Sequence, residues 1–175
     1  MDIIRHIAKK DSIREYITLE FSTFESKEKY TSRRKIEIVP KFTITETIVA
    51  KNYNEIKELE KFLSKNITEL IVFPLFSTTT KATVTETTNI VNGDFVEPWT
   101  KPGDVLCFGK DTKNLKYETI IAIDSINKQI TLQNDININD KDLLITGKIM
   151  TLNKQITINK TSNTFWEFNI KGSEL

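Results

Sequence analysis

Hydrophobic and polar positions alternate through much of this 175-residue chain. Ile17, Leu19 and Phe21 point one way while Tyr16, Thr18 and Glu20 point the other, and Phe42, Ile44 and Ile48 oppose Thr43, Thr45, Thr47 and Val49. A period of two predicts strands with one wet face. Only residues 52–65 have a helical period: Ile56, Leu59, Phe62 and Leu63 share a face, and Glu55, Lys57, Glu58, Glu60 and Lys61 face away. That spacing predicts a surface helix over 53–64 lying on a sheet. Asn52 is placed to accept from a first-turn amide and Glu55 to reach back, an approximate capping box. The continuous apolar run at 70–73 predicts a strand covered on both faces, with Pro74 ending its ladder.

From 77 to about 146 the texture changes to short strands with turn residues at close intervals. Thr78-Thr79-Thr80 opens the segment, followed by Ala82, Val84, a loop at Asn92-Gly93-Asp94 and a turn at Lys101-Pro102-Gly103-Asp104. Strands are predicted at 105–108 and 117–126, with a two-residue hairpin turn at Asn127-Lys128 into 130–132. Four or five such strands make a small β-barrel. Alternation returns in 155–158 and 164–170, where Trp166, Phe168 and Ile170 share a face and rejoin the first sheet.

The expected fold class is therefore mostly β (α+β), a β sandwich or barrel with one covering helix and an inserted small β-barrel module. Three parts follow: an N-terminal arm at 1–15, a β domain from 16–76 plus 147–175, and the inserted module at 77–146.

Composition narrows the function. Lys plus Arg total 25 against 24 for Asp plus Glu, a formal net charge of +1, so no global field recruits polyanions and partners are recognised by local surfaces. The single cysteine, Cys107, has no intramolecular disulfide partner, and a reducing cytoplasm suits it. No run approaches the length of a membrane span, and Arg5, Lys9, Lys10 and Arg14 break up any signal-peptide core.

Motifs for chemistry are scarce, and the expectation is a protein that is not an enzyme, with no catalytic residue, cofactor or metal. The one histidine, His6, lies in a region expected to be exposed or frayed. Cys107, between Leu106 and Phe108, reads as a core residue. The five glycines are scattered singly and build no phosphate cradle. The string Asp135 to Asp140 carries oxygen ligands at its first, third and fifth positions, as a calcium loop does. Its sixth position holds Asp140 instead of Gly and its twelfth Thr146 instead of Glu, so it reads as a polar hairpin loop.

Arg33, Arg34 and Lys35 form a basic cluster interrupted by Glu25, Glu28 and Glu37 and lacking a stacking platform. It reads as a solvated edge or a subunit-subunit salt-bridge site, and nucleic acid is not the expected primary partner. Phe95, Pro98 and Trp99 make an apolar knot in a loop. Such a knot either plugs the end of a small barrel or binds a carbohydrate or a protein, and that second use is the alternative functional reading. Arg33, Arg34, Lys35, Phe95 and Trp99 are the candidate interface residues.

The order of elements carries a resemblance. An early strand, Ser32-Arg33-Arg34-Lys35, a strand at 42–50, a helix at 53–64 and an apolar strand ending in Phe73-Pro74-Leu75-Phe76 resemble the distal and minor tail proteins of tailed bacteriophages. Ala82-Thr83-Val84, the stretch 101–106 and Tyr117-Glu118-Thr119-Ile120 look like the small β module often carried there. Residues 147–152 and 155–170, with Trp166-Glu167-Phe168, are similar to the family's return strands. The chain departs from the pattern in its arm before Tyr16, which has no match, and in having no carbohydrate-binding or hydrolase domain after Ile170. The resemblance implies a tail-tube-like fold and a non-enzymatic virion subunit, assembled in the host cytoplasm into a homo-oligomeric ring that joins other phage tail proteins.

Overall fold

The computed structural model describes residues 1–3, 14–25, 34–67, 69–153, 156–160, 162–163 and 165–174, with 14–25 and 34–41 described by their backbone. The elements run β1 (Asp2–Ile3), β2 (Arg14–Glu25), β3 (Arg34–Ala50), α1 (Tyr53–Asn66), β4 (Leu70–Pro74), a 3-10 turn (Phe76–Thr78), β5 (Thr80–Lys81) and β6 (Glu86–Asn92). After a long loop come β7 (Val105–Gly109), β8 (Lys116–Asp124), β9 (Gln129–Ile138), β10 (Leu143–Leu152), β11 (Thr157–Lys160) and β12 (Trp166–Ser173). The fold is mostly β with one α-helix among the described residues, and the strands join one mixed sheet.

The helix forms where its period placed it. Asn52 Oδ1 accepts from the Glu55 amide at 2.9 Å, and the Glu55 carboxylate reaches back to the Lys51 amide at 2.7 Å, one residue before the cap. Ile56, Leu59 and Leu63 are buried against the sheet, contributing roughly 5–9 kcal/mol gross as an upper bound.

One part of the sheet, the frame, runs β2-β3-β12, all antiparallel, with β11 on the far edge of β12. The end of β12 touches the end of β10, β10 pairs with β4, and β4 takes β1 as a parallel edge strand. The other part, the module, runs β10-β7-β8-β9-β6, each pair antiparallel. It curls back on itself: β5 pairs with β10, the Ala82 amide donates to the Asp142 carbonyl at 2.8 Å, and the chain then enters β6. Register shifts between Thr88 and Ile90 and between Ile120 and Ala122 lie on the two neighbours of β9, where bulges sharpen the local bend.

Buried apolar residues fall into three clusters. Phe42, Ile44, Ile48, Ile56, Leu59, Phe73, Met150 and Phe168 belong to the first, under the helix. Phe95, Leu106, Ile120, Ile130, Leu132 and Ile138 belong to the second, inside the module. The third, with Ile3, Val72, Val105, Cys107, Leu115 and Ile145, draws on both parts. The parts meet in β10, whose Gly147 is in register with Pro74 on one edge and Val105 on the other. A Cβ at Gly147 would lie 2.9 Å from Cys107 Sγ and 3.1 Å from the Phe73 carbonyl oxygen, so the close approach of three strands there needs glycine.

Two sequence expectations are corrected. Residues 135–138 are not a polar loop but the end of β9, with Ile136 and Ile138 buried; Asp135 and Asn137 are simply its outward residues. The turn after β8 is not two residues long, because Asp124 pairs with Gln129 and its carboxylate caps the amides of Ile126 and Asn127 at 3.0 and 3.1 Å. The arm at 1–15 contributes β1 and the first two residues of β2, and His6 lies outside the described residues.

Candidate functional site

Both groups of candidate interface residues have a definite address in this topology. Among the described residues, 34–41 of β3 extend beyond the end of β12 and pair with β2 alone, in a register that runs from Ile17↔Phe42 to Glu25↔Arg34. The ribbon so formed is roughly 30 Å long at about 3.4 Å per residue. Its register sets Ile17, Leu19 and Phe21 opposite Phe42, Pro40 and Ile38. Arg34 and Lys35 begin β3 at the far end of this ribbon, in register with Glu25 and Phe24, and Arg33 lies outside the described residues.

Phe95 and Trp99 are elsewhere, and the structure corrects their role as a presented pair. Phe95 is fully buried in the module core, its ring lying where a Cβ on Gly93 would sit. It offers no surface to a ligand or partner. Trp99 is half-buried and packs on the frame, its ring 6.2 Å from that of Phe42 and tilted by 52°. The knot thus joins the module to the frame of its own chain.

Behind Trp99 lies a buried ion pair that sequence reasoning missed. Lys148, on β10 one residue past Gly147, is 2% exposed, and its Nζ is 2.6 Å from Asp104 Oδ2. The same ammonium donates to the Trp99 carbonyl at 3.2 Å and lies 4.5 Å from the centre of the Phe42 ring. A carboxylate, a carbonyl and an aromatic face replace the water that a lysine head loses on burial. Asp104 Oδ2 also accepts from the Lys101 amide at 2.8 Å, closing the turn whose Gly103 has φ +95°. Burial raises the Asp104 carboxyl above its ordinary range, and the hydrogen bonds from Lys148 and Lys101 oppose that rise.

The joint is finished at its rim by Glu174, which takes Lys101 Nζ at 2.6 Å and the Phe42 amide at 3.2 Å. The frame holds a second buried carboxyl, Glu46 on β3, 4% exposed, whose Oε1 has no hydrogen-bond partner. Burial pushes it up to about 7. Cys107 is fully buried with its thiol pushed up by burial, a core residue and not a nucleophile poised to react.

These features describe surfaces and a joint. No helix among the described residues is long and apolar enough to cross a membrane. No protein-family model matches the sequence, and none of the curated proteins matches it.

Proposed function

We propose that the chain is a non-enzymatic structural subunit of a bacteriophage tail or tail tip, assembled with copies of itself into a ring that joins neighbouring tail components. The observation that carries this reading is the pair of open edges on the frame. Among the described residues, β2 pairs only with β3, and β11 only with β12, so β2-β3-β12-β11 ends in an unpaired strand on each side. Unpaired edges are templates for another chain, and joining two different edges head to tail is the heterologous contact that closes a ring.

The ribbon supports the same reading. A two-stranded ribbon is marginal alone in water, and this one sets apolar Ile17, Leu19 and Phe21 in register with Phe42, Pro40 and Ile38 and carries charged residues at its far end. Contact with a neighbouring copy gives both a place. The element order that resembles distal and minor tail proteins names the setting, a virion tail assembled in the host cytoplasm.

The test is direct. Purified chain viewed by electron microscopy forms closed rings, and the variant Thr18→Cys with Asn159→Cys gives a ladder of disulfide-linked oligomers under oxidation. Monomers alone, with no ladder, overturn the proposal.

A further inference from the structure

A groove lies on the helix-covered face of the frame at the opposite end of β3 from the joint, between the first two turns of α1 and the paired Lys160 and Trp166 of β11 and β12. It encloses about 530 Å³ and is lined by Tyr53, Lys57, Glu60, Lys160, Asn163 and Trp166, with the buried Ile56 beneath. That volume is in the range of small-molecule sites. The four helical residues 53, 56, 57 and 60 fall on one stripe, so the helix that docks the core also builds this wall.

The chemistry of the walls is specific. Lys57 Nζ sits 5.5 Å from the centre of the Tyr53 ring, and Lys160 Nζ sits 4.1 Å from the centre of the Trp166 ring. Lys160 and Trp166 are direct cross-strand partners, so the ladder fixes that pair. Trp166 is held from behind by Phe168, with ring centres 6.2 Å apart. Tyr53 is 63% exposed, far more than a large aromatic with a purely structural role requires. The groove therefore presents the exposed Tyr53 ring, a Trp166 ring capped by the Lys160 ammonium, a second ammonium on Lys57, one carboxylate and one amide.

From this set we infer that the groove binds a saccharide bearing an anionic group, a carboxylate or a phosphate. The exposed Tyr53 ring matches the C–H face of a pyranose ring, and Lys160, held over Trp166, turns its ammonium toward the same groove. Glu60 and Asn163 supply acceptors and donors for hydroxyls, and the two lysines outnumber the one acid and select an anion. An acidic peptide satisfies the lysines and leaves the Tyr53 ring unused. The inference is independent of ring assembly, because it concerns a groove and not a strand edge.

The experiment is a titration of the full chain, in whatever oligomer it forms, followed through the indole N–H resonances of Trp166 and Trp99, assigned with Trp166→Phe. Trigalacturonate and glucose 6-phosphate are the anionic probes, with cellotriose and hexaglutamate as the neutral and peptide arms. The expected result is a saturable shift of the Trp166 resonance with an anionic sugar, Trp99 unchanged, and binding about tenfold weaker for cellotriose and hexaglutamate. Tyr53→Ala, and separately Lys57→Gln with Lys160→Gln, weaken that binding about tenfold while melting temperature stays put, since all three side chains are exposed. No shift with either anionic sugar up to about 10 mM, or equal binding of cellotriose or hexaglutamate, overturns the inference.

Discussion

In the module, the segment 80–92 carries the sheet back to β10, whereas the frame stops at β2 on one side and β11 on the other. Their buried charges differ in a parallel way. Asp104, which the module contributes to the joint, has an ammonium at 2.6 Å and a backbone amide, while Glu46 in the frame has an oxygen with no partner. The module's buried acid is met by a lysine across the joint, whereas among the described residues the frame leaves Glu46 Oε1 without a partner and β2 and β11 each paired on one side. Open edges suit a part whose final environment includes another chain.

The contrast can be broken most severely at the joint. Lys148→Ala strands the Asp104 carboxylate in a buried site and is expected to cost about 3–5 kcal/mol, read as a lower denaturation midpoint in urea. Lys148→Met combined with Asp104→Leu removes both charges and is expected to recover most of that loss, because burying neither ion avoids desolvating either. A double variant no better than the single one would mean that the hydrogen bonds to Trp99 and Lys101, and not the charge pair, hold the joint.

Glu46 sharpens the comparison from the other side. Its folded-state value of about 7 lies above the ordinary 4.5, so the unfolded chain releases this proton first as pH rises. Stability then falls between about pH 4.5 and 7 and levels off above, by roughly 3 kcal/mol in all. Glu46→Gln is expected to raise the melting temperature at pH 8, leave it unchanged near pH 4, and flatten the slope between. An unchanged pH profile would show that Glu46 finds a partner when the frame is assembled or in solution. The smallest expected effect is at the shared strand: Gly147→Ala presses on Cys107, Val105 and the Phe73 carbonyl and should cost about 1–3 kcal/mol by thermal melting.

Much of this architecture is written in local periodicity. The helix, its Asn52 cap, the turn at 101–104 and the shared face of Phe168 and Ile170 follow from spacing that neighbours alone determine. What periodicity does not reveal is which partner a residue meets across the chain. Glu46 occupies an inward position between Ile44 and Ile48, which alternation alone could have flagged as a buried acid but which sequence reasoning missed. Lys148 likewise sits inside an otherwise apolar strand. Its partner is 44 residues away on a turn whose sequence signals a turn and nothing about what its Asp104 meets. Phe95 and Trp99 were legible as a knot but not in direction, because only the packing of the module on Phe42 decides where the knot points. The polar string at 135–140 misled for the opposite reason: its outward residues suggested a loop, while Ile136 and Ile138 kept a strand's alternation.

The continuity of β10 has a mechanical meaning. Leu143 to Gly147 belongs to the module ladder and Gly147 to Leu152 to the frame, with no hinge between them. A pull on the module along this strand is carried straight into the frame by covalent backbone and loads the flanking hydrogen bonds together, in shear.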